Sequence, residues 1–334
     1  MSVAHNPAPE AAGPPPCNPL VSLVVPAYNE AAGIQTAVRR FLEVLDGLPY
    51  RVEVLVIDDG SEDATFVRAA ALADEGMPVR ALHLSRNFGK EAAILAGLRH
   101  ARGDAVVTID ADLQHPPELI PSMLVAWEHG AKVVHAVKRN RGDEPWTSTV
   151  RARVVNALIM RLGGVDVRNS SDFKLLDRVA VDVLTQGMPE RRRFYRGLAD
   201  WIGFESATLE FDVAPRASGR SAWRLRSLIA LALTALMSFT SVPLRVVSVL
   251  GFLTFLLGIG VGADALLSWA RGRAVSGFAT LIISLLLIGS FIMISLGVIG
   301  EYIAKIYDEI KQRPTYIVER THEVDVQTPR AEEG

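Results

Sequence analysis

Two carboxylates separated by a single residue, Asp110 and Asp112, follow directly on the apolar run 105–109. At a strand exit, side chains at i and i+2 can both reach one hard cation through oxygen. Magnesium and manganese suit that chemistry, binding through one or two carboxylates plus substrate phosphates. A solvated acidic turn ahead of Pro116 and Pro117 would have the same composition. Two further acidic loops accompany it, Asp58-Asp59-Gly60-Ser61 and Pro26-Ala27-Tyr28-Asn29-Glu30. Asp, Gly and Ser all favour turns, but Asp58 or Asp59 could equally accept hydrogen bonds from a nucleobase or ribose. Residues 26–30 read as a strand exit and helix start, or as a cradle for a nucleoside.

Other polar stretches carry less on their own. Arg86-Asn87-Phe88-Gly89-Lys90 precedes a helix, where anion contact and ordinary capping explain it equally. Asp172 stands in Asn169-Ser170-Ser171-Asp172-Phe173 and is not separable from a turn aspartate by spacing. Arg191, Arg192 and Arg193, with Arg196 and the arginines of 216–226, form either a solvated face or a phosphate-facing collar. The histidines, His115 and His135 among them, show no ligand spacing and read as structural or surface residues.

The elements that must position these groups alternate. Apolar runs at 20–27, 52–57, 79–84, 105–109 and 131–137 read as strands. Residues 30–45 place Ile34, Val38, Phe41, Leu42 and Leu45 on one helical stripe, and 91–101 form an Ala- and Leu-rich helix. Strands alternating with helices predict an α/β fold with a mostly parallel sheet and helices on both faces. In such sheets ligands bind beyond the carboxyl ends of the strands, where all three acidic loops fall. The alternation FESATLEFDVA at 204–214 predicts a further strand at a sheet edge.

A net charge of -2 exerts no global pull toward nucleic acid, and none is expected as a partner. The 49% hydrophobic content and mean hydropathy of +0.24 conceal two halves, since the apolar excess gathers after about residue 227. Residues 246–269 and 278–300 are each long enough to cross a hydrocarbon core of about 30 Å. Residues 227–244 carry no charge but are broken by Ser238, Thr240, Ser241 and Pro243, which predicts an interfacial helix. Arg216, Arg220, Arg224, Arg226 and Arg245 precede the first span and Lys305, Lys311 and Arg313 follow the second, against Arg271 and Arg273 between them. The positive-inside rule then places the large domain and the C-terminus in the cytoplasm, at the plasma (inner) membrane. The single cysteine, Cys17, permits no intramolecular disulfide. The expected organisation is a disordered leader at 1–19, a catalytic domain at 20–215 and a juxtamembrane amphipathic segment at 216–244. A two-helix transmembrane hairpin at 245–304 and a cytoplasmic tail at 305–334 complete it. Gly258, Gly260 and Gly262 would allow close helix contact in a homo-oligomer.

In this order the motifs resemble the polyisoprenyl-phosphate glycosyltransferases of the family 2 type, the group of bactoprenol glucosyltransferases and dolichol-phosphate mannose synthases. The matching stretches are VPAYNE, DDGSED, RNFGKEAAILAGL, DADLQHPPE, SDFKLLDR and RRRFYRGL, continued by GRSAW, PLR and IGEYIAKIYDEIKQRPTYIV. The resemblance implies a GT-A fold and inverting transfer of a sugar from a nucleotide-sugar, UDP-glucose or similar, to polyisoprenyl phosphate such as undecaprenyl phosphate. It implies Mg2+ or Mn2+ at Asp110, Asp112 and Gln114, a nucleoside pocket at Pro26, Tyr28, Glu30 and Asp59, and Asp172 at the proposed base position. Lys90 falls among the substrate-binding positions. Lys138, Arg139, Arg151 and Arg153 fall in the region that contacts acceptor phosphate. Where the pattern often has Gly-x-Ser-Lys, this chain has Gly219-Arg220-Ser221-Ala222, so Arg220 or Arg224 takes the place of the missing lysine, and Arg216 joins the substrate-binding positions. A processive polysaccharide synthase would carry Gln-x-x-Arg-Trp, which is absent. A non-catalytic membrane scaffold would not need the acidic motifs.

Overall fold

The computed structural model describes residues 18–138, 171–188, 195–211, 242–271 and 277–323. Arg139, Arg151, Arg153, Arg191–Arg193, Arg216, Arg220, Arg224 and Arg226 lie outside the described residues, as do the leader up to residue 17 and the juxtamembrane segment up to residue 241. The described residues fall into two compact units, one built on a sheet and one holding two long helices.

The sheet unit runs β1 (Leu20–Ala27), α1 (Ile34–Leu45), β2 (Arg51–Asp58), α2 (Thr65–Asp74), β3 (Val79–Leu84), α3 (Lys90–His100), β4 (Ala105–Thr108), α4 (Ile120–Glu128) and β5 (Val133–Lys138). It continues with β6 (Lys174–Asp177), α5 (Arg178–Asp182), α6 (Tyr195–Trp201), β7 (Ser206–Phe211) and, after the long helices, β8 (Val318–Glu323). The strand order is β7-β5-β6-β4-β1-β2-β3-β8. β1 pairs in parallel with β2 and β4, β2 with β3, and β5 with β7, whereas β6 and β8 run antiparallel to their neighbours.

The unbroken apolar character of the central strands follows from burial on both faces. Val21, Leu23, Val25, Val54 and Val56 pack with Ile34, Phe41, Leu72 and Met123 of α1, α2 and α4. The alternate side chains Val24, Leu55 and Ile57 pack with Ile94 of α3, Val181 of α5 and Leu198 of α6. α1 begins at Ile34 because residues 30–33 form a turn closed by the Gly33 and Ile34 N–H groups on the Glu30 carbonyl.

Two strands differ from expectation. Residues 318–323, expected within a tail, form β8 on the free edge of β3. Residues 174–177, expected only as a short apolar stretch, form β6 between β4 and β5, which fixes the position of the adjoining Asp172.

The second unit holds α7 (Val242–Ala270) and α8 (Phe278–Ile310), of 29 and 33 residues. Their stretches Val247–Ser268 and Leu287–Ile310 are long and apolar enough to cross a membrane. Pro243, expected to interrupt an apolar segment, instead lies in the first turn of α7, where its missing N–H leaves no helical bond unmade. At about 1.5 Å per residue α8 is about 50 Å long, so it contains the 278–300 run and continues ten residues past it.

Candidate active site

The acidic loops meet beyond the carboxyl ends of β1, β2 and β4. Between them lies a cleft of about 310 Å3, walled by Pro26, Tyr28, Glu30, Asp59, Lys90 and the Asp110–Asp112 turn. That volume is within the range of small-ligand sites.

Asp110 and Asp112 leave β4 in a turn whose next residue, Leu113, has a left-handed backbone (φ 54°). The reversal lets the Gln114 N–H donate to Asp112 Oδ1 at 3.1 Å. It also folds His115 back, so that donor atoms of Asp110, Asp112 and His115 all lie within 4.8 Å of one another. His115 Nδ1 is 3.8 Å from Asp110 Oδ2. Two carboxylates and an imidazole at that spacing fit a divalent cation. Sequence spacing did not mark His115, because the turn that returns it depends on the backbone of a leucine.

Lys90, the first residue of α3, links two strands. Its Nζ lies 2.7 Å from Asp110 Oδ1 and 2.7 Å from Asp172 Oδ2. Burial alone would weaken its hold on the proton, but the Asp110 and Asp172 carboxylates outweigh that and keep its pKa above the ordinary lysine value. Asp172 is buried, and its carbonyl accepts the Thr108 hydroxyl at 2.5 Å. Antiparallel β6 therefore delivers Asp172 to the end of β4, beside the cation candidates.

The two aspartates of the β2 loop have different surroundings. Asp59 faces the cleft, and its oxygens accept the Phe88 and Gly89 N–H groups at 2.8 and 2.9 Å. Burial pushes its carboxyl pKa up, and those two bonds pull the other way without cancelling it. Asp58, also expected to bind substrate, is not part of the cleft wall. The parallel register sets it opposite His83, whose Nδ1 is 2.6 Å from Asp58 Oδ2, and the Ser61 N–H takes its other oxygen at 3.1 Å. Gly60 makes room for the Arg86-to-Lys90 loop: a Cβ there would stand 2.3 Å from the Arg86 carbonyl carbon.

On the other wall, Tyr28 is 44% exposed, open to stacking. Asn29 is left-handed (φ 55°) and exchanges hydrogen bonds with the β2 loop, its N–H to Ser61 Oγ and its Oδ1 from the Glu62 N–H. The Glu30 pKa is raised, first by burial and then by Asp112, Asp63 and Asp110, the mark of an acidic cluster that a cation would relieve. Lys138 ends β5 beside Phe211 of β7, at the same carboxyl edge of the sheet as these loops and two strands from β4.

The chain matches the family model "Glycosyl transferase family 2" over residues 22–184 and the "GtrB C-terminal hairpin" over 242–306. It is 38% identical over 307 residues to the SfII prophage-derived bactoprenol glucosyl transferase of Shigella flexneri, covering 90% of this chain and 98% of that protein. It is 37% identical over 302 residues to the prophage bactoprenol glucosyl transferase homolog of Escherichia coli, covering 90% and 98%. Among solved structures, glucosyl-3-phosphoglycerate synthase from Mycobacterium tuberculosis, crystallised with Mn2+, UDP and phosphoglyceric acid, overlays with a TM-score of 0.47 at 24% identity, over 66% of this chain and 76% of that one. With an α/β sheet that gathers its acidic loops on one cleft, and relatives of this identity along nearly its whole length, the chain belongs to glycosyl transferase family 2 and is a glycosyltransferase.

Proposed function

We propose that this enzyme transfers a hexosyl group, with inversion, from a nucleotide diphosphate sugar to the phosphate of a polyisoprenyl lipid, assisted by Mg2+ or Mn2+. The observation that carries this reading is the convergence of Asp110, Asp112, Lys90 and Asp172 at one end of a cleft whose other wall is Tyr28 and Glu30. The bactoprenol glucosyl transferases at 37–38% identity support the acceptor class, with undecaprenyl phosphate and UDP-glucose as the pair to try first.

Asp110 and Asp112 would hold the dication, with Gln114 beside them. A bound dication neutralises charge growing on the departing nucleotide diphosphate. The N-terminus of α3, which brings Lys90 and Ala93 to the cleft, adds a positive dipole end for the same diphosphate. Tyr28 supplies a flat apolar surface for the base, and Asp59 holds the Arg86-to-Lys90 loop through its two backbone bonds. The acceptor needs little deprotonation, since a phosphate monoester has its second pKa at about 6. Asp172, paired with Lys90, therefore positions reactants and offsets positive charge on the sugar ring rather than removing a proton. Arg139, Arg151, Arg153, Arg216 and Arg220 are proposed to meet the acceptor phosphate, with Lys138 at the end of β5. The catalytic unit is assigned to the cytoplasmic face of the plasma membrane, anchored by α7 and α8.

The test incubates membranes carrying the full chain with labelled UDP-glucose and undecaprenyl phosphate, then extracts the lipid. Label should enter the organic phase, vanish with chelator and return with Mn2+ or Mg2+. The Asp110→Ala/Asp112→Ala double variant should lose at least about 100-fold in turnover, the scale of one well-placed electrostatic contact. Undiminished transfer by that variant overturns the reading.

A further inference from the structure

We propose that His115 is a further protein ligand of the dication, through Nδ1, and that it biases the site toward a transition-metal ion such as Mn2+ over Mg2+. This role presupposes the cation reading of Asp110 and Asp112 given above.

Three observations combine. The His115 Nδ1 to Asp110 Oδ2 separation of 3.8 Å is beyond hydrogen-bond reach. It is, however, a separation expected of two atoms sharing one cation, since ligands about 2.1 Å from a metal lie roughly 3 to 4 Å apart. The Asp112 carboxylate belongs to the same cluster, all of whose donor atoms fall within 4.8 Å. The imidazole is also fixed in place: its ring packs against Phe173 at 5.5 Å and edge-on to Phe211 at 5.7 Å, between centroids. Packing against Phe173 and Phe211 sets the plane of the imidazole. Finally, the side chain is only 8% exposed, so any cation it meets is desolvated on that side.

The chemistry gives the bias. Mg2+ takes oxygen ligands and retains its waters, whereas imidazole nitrogen suits transition-metal ions. A site of two carboxylates alone would discriminate weakly between Mg2+ and Mn2+. Adding one nitrogen strengthens Mn2+ selectively.

The test uses the full chain in detergent with Mn2+ alone as probe. Pulsed electron paramagnetic resonance should show nitrogen-14 modulation from a directly bound imidazole in the wild type. His115→Phe keeps an aromatic ring between Phe173 and Phe211, and His115→Gln keeps a polar side chain. Each should bind Mn2+ about 10- to 100-fold more weakly, lose the modulation and show a reduced Mn2+ to Mg2+ affinity ratio, with far-UV circular dichroism unchanged. If one variant fails to fold, the other decides. Mn2+ bound in the wild type without nitrogen modulation, or modulation that persists in a folded variant, overturns the assignment while leaving the proposed function standing. No Mn2+ binding at all overturns both.

Discussion

Asp172 and Lys90 are joined by a 2.7 Å ion pair, and that pair decides how the reaction should respond to pH. If Asp172 worked as a base, its own ionisation would shape the acid limb of the rate profile. If it positions reactants, the limb belongs to the acceptor phosphate and lies at about pH 6. Asp172→Asn is therefore expected to lower kcat while leaving the limb where the wild type has it; loss or displacement of the limb in the variant would assign the base role instead. His135 offers an independent check at the same scale. Burial, followed by the neighbouring Lys174 ammonium, lowers its pKa from 6.5 to about 4, although Asp200 Oδ1 lies 3.2 Å from its Nε2. Asp200 also faces Lys174 at 3.7 Å, so its charge is shared, and the lowered direction prevails. The unfolded chain takes up this proton near 6.5 and the folded chain only near 4, so between those values acid stabilises the unfolded state. Above that window neither state carries the charge, and below it both do. His135→Gln should abolish a stability loss of up to about 3 kcal/mol on acidification across the window, read as denaturant midpoints at each pH.

Among the elements, the strands legible in the sequence are those buried on both faces. β1 and β3 match their apolar runs residue for residue, because every side chain of such a strand meets a helix or a neighbouring strand. β6 was hidden by Lys174, a fully buried cation in a four-residue strand, where charge ordinarily signals a loop. β8 reads VERTHE and has no apolar alternation; its backbone ladder with β3 attaches it to the sheet, joined by the ion pairs of Glu323 with Arg80 and Arg102. Asp110 and Asp112 were legible because ligand type and strand exit coincide, whereas His115 depended on a left-handed leucine. Loop against loop was not legible either: Gly60 (φ 67°) abuts the backbone of Arg86 and Asn87, far along the chain. Gly60→Ala should destabilise by at least about 1–2 kcal/mol from backbone strain alone, with the steric clash adding to it. Because the displaced loop carries Lys90, KM for the nucleotide-sugar should rise as well, and a variant with wild-type melting temperature and KM would refute this account of the turn.

For the whole molecule, the pairing of β8 with β3 constrains any path of the chain through a membrane. β8 is hydrogen-bonded into the same sheet as the strands that precede α7, so the chain leaves this unit after β7 and rejoins it at Val318. A folded sheet lies on one side of a bilayer, and the excursion between must cross an even number of times. If α7 and α8 are the two crossings, as proposed, the stretch ahead of α7 cannot add a single third one, which agrees with the interfacial reading of its Ser and Thr content and of the arginines ahead of it. Site-directed labelling can count the crossings, because the chain has one native cysteine, Cys17, which Cys17→Ser removes. On intact cells a membrane-impermeant maleimide should modify Ser276→Cys, between the two helices, and should spare Thr234→Cys and Lys311→Cys until the membrane is permeabilised. Modification of Thr234→Cys from outside, or protection of Ser276→Cys, would require either a different number of spans or the opposite orientation, and the arginine distribution would then need another cause.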